Sequence, residues 1–223
     1  MAVSLFKNSW GELAMAPNKP VQERSLASMN RMLDAGEQLF FEGGNPALTL
    51  EEVIKLAETS TGSFYARFGD MRGFLDSMHE RVLEMLAAEF EMAFAKAAAA
   101  EDLESFLKTL LTEVFDIVHR HRAQTYFFAV GNSHDPQWRA MGAQFTLGMN
   151  DAGTMLMKGY LPKSSSAVIK RKLDVAARMI IAAIFQQIML DQNEISHINI
   201  SQKVMAAEIA SAVSAYLLAT PKK

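Results

Sequence analysis

The stretch Leu48–Leu75 reads LTLEEVIKLAETSTGSFYARFGDMRGFL, and the expected fold of the chain is built outward from it. Thr49, with Glu52 three residues later, forms a capping box, so we expect a helix to begin there. Ser60 can cap a second helix over residues 61–67. Only a short polar connection separates the two helices. This spacing predicts two short helices joined by a tight turn, the arrangement of a helix-turn-helix.

A third helix is expected directly after the second. Gly69 can adopt the left-handed backbone conformation that often ends a helix, and Asp70 can cap the helix that follows. Apolar residues at helical spacing then continue to Lys96. We therefore expect one long helix over 70–96 that connects a small N-terminal domain with a second domain.

Composition favours an all-α protein of about nine helices. The chain has 223 residues, 50% of them hydrophobic, with 15 Met, 14 Phe, 6 Pro and no Cys. This is enough apolar material for one or two domains with buried cores. The absence of cysteine excludes disulfides and thiolate metal sites and fits a reducing cytoplasm. Neither a signal peptide nor an uncharged apolar run long enough to span a membrane is recognisable.

Residues 31–75 resemble the DNA-binding domain of the TetR (tetracycline-repressor-like) family of bacterial transcriptional regulators. The resemblance is carried by Leu39-Phe40, the segments 48–53 and 57–60, and the spacing Gly62-x-x-Tyr65-x-x-Phe68. By motif it covers a small part of the chain, and by length and helix order it extends to the whole. It implies an N-terminal arm (1–20), a helix-turn-helix domain (21–70) and a ligand-binding and dimerisation domain (71–223).

The sequence departs from the family pattern at two places. The family usually has Gly-Val at the turn, where this chain has Glu58-Thr59, and a lysine opening the long helix, where this chain has Met71 beside Arg72. Residues 1–75 hold seven basic and nine acidic residues. Because phosphate neutralisation normally supplies much of the affinity for DNA, an acidic N-terminal domain weighs against DNA binding.

The resemblance and the residue types together predict a DNA interface at the turn and the second short helix. Hydroxyls there suit phosphate oxygens, as do the backbone N–H groups at the helix N-terminus. Arg67 can fork onto guanine, Phe64 can meet a thymine methyl group, and Ser63 can reach a base edge. The candidates are Thr49, Ser60, Thr61, Gly62, Ser63, Phe64, Tyr65, Arg67 and Arg72.

Methionine and aromatic residues in the second domain predict a pocket for a small hydrophobic or aromatic effector, because such side chains adapt to irregular apolar guests. Tyr126 and His119 are the polar groups expected to orient it, although for each single residue a plain core position is the favoured reading and only the set as a whole favours a pocket. The candidates are Phe115, His119, Tyr126, Trp138, Met141, Phe145, Met149 and Phe185.

The last two long helices carry an apolar surface too wide for helices that lie on a domain surface. The resemblance implies that they pair with the same helices of a second copy, which reading two half-sites of an operator also requires. A buried core within one chain is the alternative. The candidate interface residues are Ala176, Ala177, Ile180, Ile184, Ala210, Val213 and Leu217.

The sequence thus indicates a homodimeric, cytoplasmic DNA-binding regulator, a repressor that a ligand releases from its operator. The alternative is a helical small-molecule-binding protein that has kept the shape of the DNA-binding domain without its DNA affinity. No phosphate loop, dinucleotide fingerprint or nucleophile elbow is present, so we expect no enzyme and no cofactor. Asp76 and His79 form only one carboxylate–histidine pair, so no metal site is expected.

Overall fold

The computed structural model describes residues 23–43, 48–131, 134–161 and 167–219. These segments form helices and no strand, which confirms the all-α fold. None of the helices in these segments is long and apolar enough to cross a membrane. The expected arm over 1–20 lies outside the described residues.

Ten α-helices and one π-helical segment make up the described part of the chain. The α-helices are α1 (Glu23–Gly43), α2 (Leu50–Leu56), α3 (Thr61–Phe68), α4 (Met71–Ala97), α5 (Leu103–Arg120), α6 (Arg122–Tyr126), α7 (Pro136–Gly159), α8 (Ala167–Met189), α9 (Gln192–Ile195) and α10 (Gln202–Leu218). The π-helical segment, Phe127–Gly131, directly continues α6. Helices α6 and α9 are short. When they are set aside, the order of the longer helices is the one expected from the sequence.

The chain divides into two compact units, Leu13–Glu84 and Met85–Lys223, here called the N-terminal unit and the C-terminal unit. Helix α4 begins in the first unit and continues into the second. The described part of the N-terminal unit is therefore α1 to α3 with the first half of α4. The second half of α4 and all later helices belong to the C-terminal unit.

Side-chain caps start α2, α3 and α4 where the sequence predicts them. Thr49 Oγ1 accepts a hydrogen bond from the backbone N–H of Glu52 at 3.3 Å. Ser60 Oγ accepts one from Ser63 at 3.2 Å. Asp70 caps α4 in the same way. Each cap satisfies a backbone donor that the first turn of a helix leaves without an intrahelical partner.

Two glycines allow α3 to pass into α4 within two residues. Gly69 has φ of +75°, the left-handed conformation predicted for this position. A Cβ atom on Gly73 would lie 2.0 Å from the carbonyl oxygen of Phe68, so only glycine fits against that backbone. The amide of Gly73 donates to Asp70 Oδ1 at 2.8 Å. The sharp connection thus depends on residues with no side chain to displace.

Three phenylalanine rings form the centre of the N-terminal unit. The ring centroids of Phe64, Phe68 and Phe74 lie 5.0 to 5.2 Å from one another, in tilted or edge-to-face arrangements. All three side chains are buried. Such aromatic pairs add to the free energy gained from burying their apolar area. We call this set the ring cluster, and it fixes α3 against α4.

The core of the C-terminal unit is organised around α5. Nine of its residues are buried, from Leu103 to Val118, and α10 packs along its length. Helix α8 also packs against α5, α7 and α10. Asp135 caps α7 through the N–H groups of Gln137 and Trp138, with Pro136 at the first helical position as expected.

Candidate DNA interface and ligand region

The ring cluster decides which side of α3 faces solvent. Phe64 and Phe68 lie one turn apart on the inner side, so the residues between them point outward. The exposed residues are Thr61, Gly62, Tyr65 and Ala66, and we call them the α3 outer face. Tyr65 is 49% exposed. A Cβ atom added to Gly62 would meet only Ser60 Oγ, at 4.0 Å, so the backbone there is accessible to a large partner such as DNA.

Phe64 was expected to contact a thymine methyl group, and the structure corrects that expectation. Its side chain is 0% exposed and packs within the ring cluster. A base could reach it only if the core of the N-terminal unit opened. Ala66 is exposed one turn after Gly62 and was missed. The i, i+4 spacing of Phe64 and Phe68 was the signal that could have separated the two faces of α3.

The serine hydroxyls at the start of α3 serve local structure in the absence of DNA. Ser60 Oγ caps the helix and lies 3.0 Å from Ser63 Oγ, close enough for one hydroxyl to donate to the other. Thr49 caps α2 in the same manner. All three lie at helix N-termini, where backbone N–H groups favour anions. They therefore shape the N-terminal ends of α2 and α3.

The cations expected near DNA differ in their partners. Arg72 Nε donates to Asp76 Oδ1 at 2.8 Å, and Lys55 pairs with Glu52 at 3.3 Å. Arg67 is half-buried and makes no ion pair or hydrogen bond with any described residue. Its guanidinium is the readiest to bind an external acceptor, whereas a phosphate must compete with Asp76 for Arg72.

A second ion-pair group joins α1 to α4 within the N-terminal unit. Arg81 contacts Asp34 and, at 3.2 Å from Nε, Glu37 Oε1. Because one arginine satisfies two carboxylates, these acidic side chains of α1 are partly neutralised within the fold. The acidic balance of the sequence therefore overstates the negative charge that DNA would meet here.

Glu80, one turn after Asp76 on α4, carries a perturbed carboxyl group. Partial burial raises the pKa of Glu80, and the negative charges of Glu84 and Asp76 raise it further. The three carboxylates repeat at four-residue spacing, so they repel one another along one side of the helix.

The turn between α2 and α3 holds a non-glycine residue in a strained conformation. Glu58 has φ of +48°, in the left-handed region where a Cβ atom crowds the backbone. Its chain neighbour Ala57 accepts a hydrogen bond from Arg31 Nε of α1 at 3.3 Å. The glycine that the family usually has at position 58 would adopt this conformation without that cost.

Part of the expected ligand wall is buried in the C-terminal unit. Phe115, Trp138 and Phe145 are buried, and Met141 and Met149 are half-buried on α7. The ring of Phe145 lies 5.6 Å from that of Phe90 on α4, and that of Trp138 lies 5.2 Å from Phe128. These side chains line the contacts that α7 makes with α4 and with the π-helical segment. Their burial fits a plain core and a ligand wall equally.

Three other expected ligand residues lie elsewhere. His119 is exposed, Tyr126 is 45% exposed and Phe185 is 36% exposed. His119 lies one turn after Phe115, near the C-terminal end of α5, and its side chain is exposed. Neither His119 nor Tyr126 is buried in this conformation, and their role in orienting a guest stays a prediction.

The structure instead buries polar atoms that the sequence analysis did not select. Gln124 is 7% exposed, and its Oε1 atom has no hydrogen-bond partner among the described residues. Asn150 Oδ1 and Thr154 Oγ1, one turn apart on α7, are also shielded from solvent and unpartnered. The sequence carries no distinct signal for this pair, because α7 has other polar residues as well, among them Gln144, Thr146 and Asp151.

The expected dimer residues are mostly core residues of a single chain. Ala176, Ala177, Ala210, Val213 and Leu217 are each 6% exposed or less, and Ile180 and Ile184 are half-buried. Helix α10 packs on α5 and α8, and this packing buries that side of α10 within the subunit. The burial of these five residues fits the alternative of a core within one chain, and their expected role in a dimer interface stays a prediction.

A different face of α8 and α10 is exposed. On α8 it comprises Met179, Ala182, Phe185 and Met189, and on α10 it comprises Val204, Ser211, Ala215 and Leu218. We call these residues the outer apolar face. Apart from Glu208, which is exposed between Val204 and Ser211, these small and apolar side chains suit close helix packing more than contact with water.

Comparison with known proteins identifies the N-terminal unit. Residues 32–78 match the family model described as bacterial regulatory proteins, tetR family. No curated protein sequence is a significant match to the chain.

Solved structures share the fold at low sequence identity. A protein from Mesorhizobium loti assigned to the TetR family of transcriptional regulators aligns with TM-score 0.65 and 13% identity, over 88% of this chain and 98% of its own. Salmonella enterica GusR gives 0.62 and 16%, over 87% and 98%. A transcriptional regulator (TerR/AcrR family) from Aquifex aeolicus gives 0.57 and 17%, over 83% and 97%. Residues 32–78 of this chain thus match the tetR family model, and the chain shares the fold of these solved regulators.

Proposed function

We propose that the chain is a homodimeric repressor whose N-terminal domain (21–70) binds operator DNA and whose C-terminal domain (71–223) dimerises and binds a small, largely apolar effector. The observation that carries the DNA-binding part is the α3 outer face. It exposes two side chains with hydroxyl groups, Thr61 and Tyr65, beside two residues with little or no side chain, Gly62 and Ala66. Such a face can approach the floor of the major groove closely.

The residues around α3 have separate roles in this proposal. Tyr65 and the hydroxyls of Thr49, Ser60 and Thr61 contact phosphate oxygens, which positions the helix without reading sequence. Arg67 reads a base edge, because it has no partner in the described structure that DNA must displace. Ser63 contributes a second, weaker polar contact. Arg72 adds a phosphate contact when it exchanges Asp76 for DNA.

The dimer forms through the outer apolar face. A helix face that exposes Phe185, Met189 and Leu218 to water is unfavourable in a monomer, and a second copy covers it through a two-fold axis. Two copies also present two α3 helices to the two half-sites of an operator. Phe185, expected first in the ligand wall, belongs in this proposal to the dimer contact.

In this proposal, DNA is released when the protein shifts from a conformation that binds DNA to one that does not. Helix α4 runs from one unit into the other, and in the C-terminal unit its Glu89 is paired with Arg120 at 2.9 Å and lies 3.0 Å from His121. A ligand held between α4 and α7 can therefore act on the helix that carries the DNA-binding domain. Release requires that the ligand binds the DNA-incompetent conformation more tightly.

A mobility shift with DNA from the protein's own genomic neighbourhood tests the DNA-binding part. Tyr65→Ala should weaken binding to every sequence, and Arg67→Ala should relax the preference at one position in each half-site. Arg139→Ala, which removes an exposed charge from α7 of the C-terminal unit, is the matched control and should bind as the wild type does. Absence of sequence-selective binding at low salt would contradict the regulator proposal.

The second candidate function is a ligand-binding protein without DNA affinity. The observation that favours it is the engagement of the N-terminal cations, because Arg72 and Arg81 already hold acidic partners. Under this alternative, compounds stabilise the protein while no DNA fragment shifts. A mobility shift with DNA and a measurement of stabilisation by compounds therefore distinguish the two candidate functions.

Light scattering at micromolar concentration tests the dimer. Phe185→Asp should give a folded monomer, because a charge there would be buried against the partner but exposed in a single chain. Leu147→Asp, on the exposed side of α7, is the matched control and should stay dimeric. A wild-type protein that is monomeric under these conditions would rule out the proposed assembly.

A further inference from the structure

Among the described residues of the C-terminal unit, three side-chain oxygens are buried with neither a hydrogen bond nor an ion pair: Gln124 Oε1, Asn150 Oδ1 and Thr154 Oγ1. Most buried polar atoms in folded proteins make a hydrogen bond, and each exception carries a cost of about 1–3 kcal/mol unless something outside the chain supplies the partner. Two such atoms one helical turn apart double that cost on a single helix. An atom from outside the chain is the simplest source of the missing partners.

The surroundings of these oxygens are apolar. Helix α7, which carries Asn150 and Thr154, contacts α4 through Phe145 and Phe90, and its Gly153 lies against the ring of Phe94. Gln124 lies on α6, and both α6 and α7 pack against α8. Among the described residues of this unit, no lysine or arginine is buried. A molecule bound against this part of α7 would lie near the rings of Phe90 and Phe94 and would meet no buried cation.

We propose that these three residues are the polar recognition groups of the effector site, and that the effector is a neutral molecule with N–H or O–H donors on an apolar framework. This inference rests on the proposed effector binding. The carboxamide oxygens of Gln124 and Asn150 only accept hydrogen bonds, so they select donors. Anionic effectors are excluded because no buried cation offsets their desolvation.

The π-helical segment Phe127–Gly131 supports the assignment independently. It follows Gln124 in the same helical run, and π-helical turns occur frequently at functional sites. The rings of Phe127 and Phe128 contact Trp138 at the start of α7. This irregular backbone thus joins the helix that holds Gln124 to the helix that holds the other two oxygens.

The test uses the full-length protein and matched pairs of probes. Phenols and aromatic amines are compared with their O-methyl and N,N-dimethyl counterparts, which keep the apolar framework but lose the donor. The expected result is that the donor compounds bind wild type roughly tenfold more tightly, since one lost hydrogen bond changes affinity by about that factor. Thermal-shift measurements identify the compounds that bind, and calorimetry measures the ratio between the affinities of the donor and the methylated compounds.

Three variants assign the preference to residues. Thr154→Val and Asn150→Leu should bring the ratio between donor and methylated compounds close to one. Thr146→Val is the matched control on the same helix, because the Thr146 hydroxyl already donates to the carbonyl of Gly142 at 3.0 Å. It should leave the ratio unchanged.

The ligand-free variants give a second, independent measurement. Thr154→Val should raise the melting temperature, because it removes a buried hydroxyl that has no partner, whereas Thr146→Val should lower it. A lower melting temperature for both variants would overturn the inference, since it would mean that the Thr154 hydroxyl is already hydrogen-bonded.

The outcomes separate this inference from the proposed function. If donor and methylated compounds bind equally well and the variants change nothing, the inference is overturned while effector binding stands. A preference for anionic compounds has the same consequence. If no compound of either kind stabilises the wild type, effector binding fails and the inference fails with it.

Discussion

The two units of this protein bury different interiors. At the centre of the N-terminal unit, three phenylalanine rings contact one another, and the buried hydroxyl of Ser77 donates to the carbonyl of Gly73 at 2.9 Å. The interior of the C-terminal unit holds half-buried methionines on α7 and oxygens of Gln124 and Asn150 without partners. Methionine is buried in both units, since Met32 and Met78 lie in the core of the N-terminal one, so the difference lies in the contiguous rings, which hold one arrangement, and in the unpartnered oxygens.

The difference suits two kinds of recognition. A DNA-binding surface needs a fixed shape, and the ring cluster gives α3 one orientation. A site for an adaptable guest needs side chains that can move and polar atoms that the guest can satisfy. The following variants either remove that difference between the units or make it more pronounced.

Phe74→Ala should have the largest effect. Its ring is fully buried, so the cavity should lower the free energy of unfolding by roughly 3–5 kcal/mol and abolish DNA binding. Phe145→Ala makes the matching change in the C-terminal unit, and there a bound hydrophobic compound should restore stability and the range of binding compounds should change. Denaturant unfolding with and without the compounds checks both. If both variants lost the same free energy of unfolding and no compound restored it in either, the distinction between the units would be removed.

Asp76→Asn should increase the affinity for DNA roughly two- to fivefold at low salt, because an exposed ion pair is worth about 0–1 kcal/mol and its loss frees Arg72. Arg72→Ala should do the reverse and lower the salt slope of binding by about one unit. Binding titrations over a range of salt concentrations measure both effects. Glu113→Gln, which breaks an ion pair with Lys96 in the C-terminal unit, is the control and should leave DNA affinity unchanged.

Glu58→Gly should stabilise the N-terminal unit by up to about 1 kcal/mol, because glycine adopts the left-handed conformation at φ +48° without the crowding of a Cβ atom. Glu58→Gln removes the same charge but keeps the Cβ atom, so it isolates the electrostatic part. Chemical denaturation compares the three proteins. If Glu58→Gln raised the free energy of unfolding as much as Glu58→Gly, this would show that charge, not backbone strain, governs stability at this position.

Glu80→Gln should have the smallest effect, and it should depend on pH. Burial, Glu84 and Asp76 raise the pKa of Glu80 above its usual value of 4.5, so the folded state holds this proton more tightly than the unfolded state. The stabilisation is therefore complete below pH 4.5 and is lost as the pH rises through the folded-state pKa. The variant should gain stability over wild type near pH 7 and not near pH 4. A difference independent of pH would contradict this account.

Local signals predicted the N-terminal unit well. Thr49, Ser60 and Asp70 cap the helices that they were expected to cap, and Gly69 has the expected positive φ. Each of these features depends on atoms within four residues of one another, so the order of the amino acids is enough to specify it. The error at Phe64 arose because a ring can either contact DNA or fill a core, and its residue type fits both.

The sequence by itself determined the all-α class, the helix order, the caps and the helix-turn-helix, because backbone hydrogen bonding and apolar periodicity are local. Only the tertiary structure decided which side of each late helix is buried. Helix α10 has two stripes of small or apolar residues, Ala206, Ala210, Val213 and Leu217 on one side and Val204, Ser211, Ala215 and Leu218 on the other. Packing against α5 buries the first and exposes the second. That choice rests on the fit between helices far apart in the chain, which neither periodicity nor composition contains.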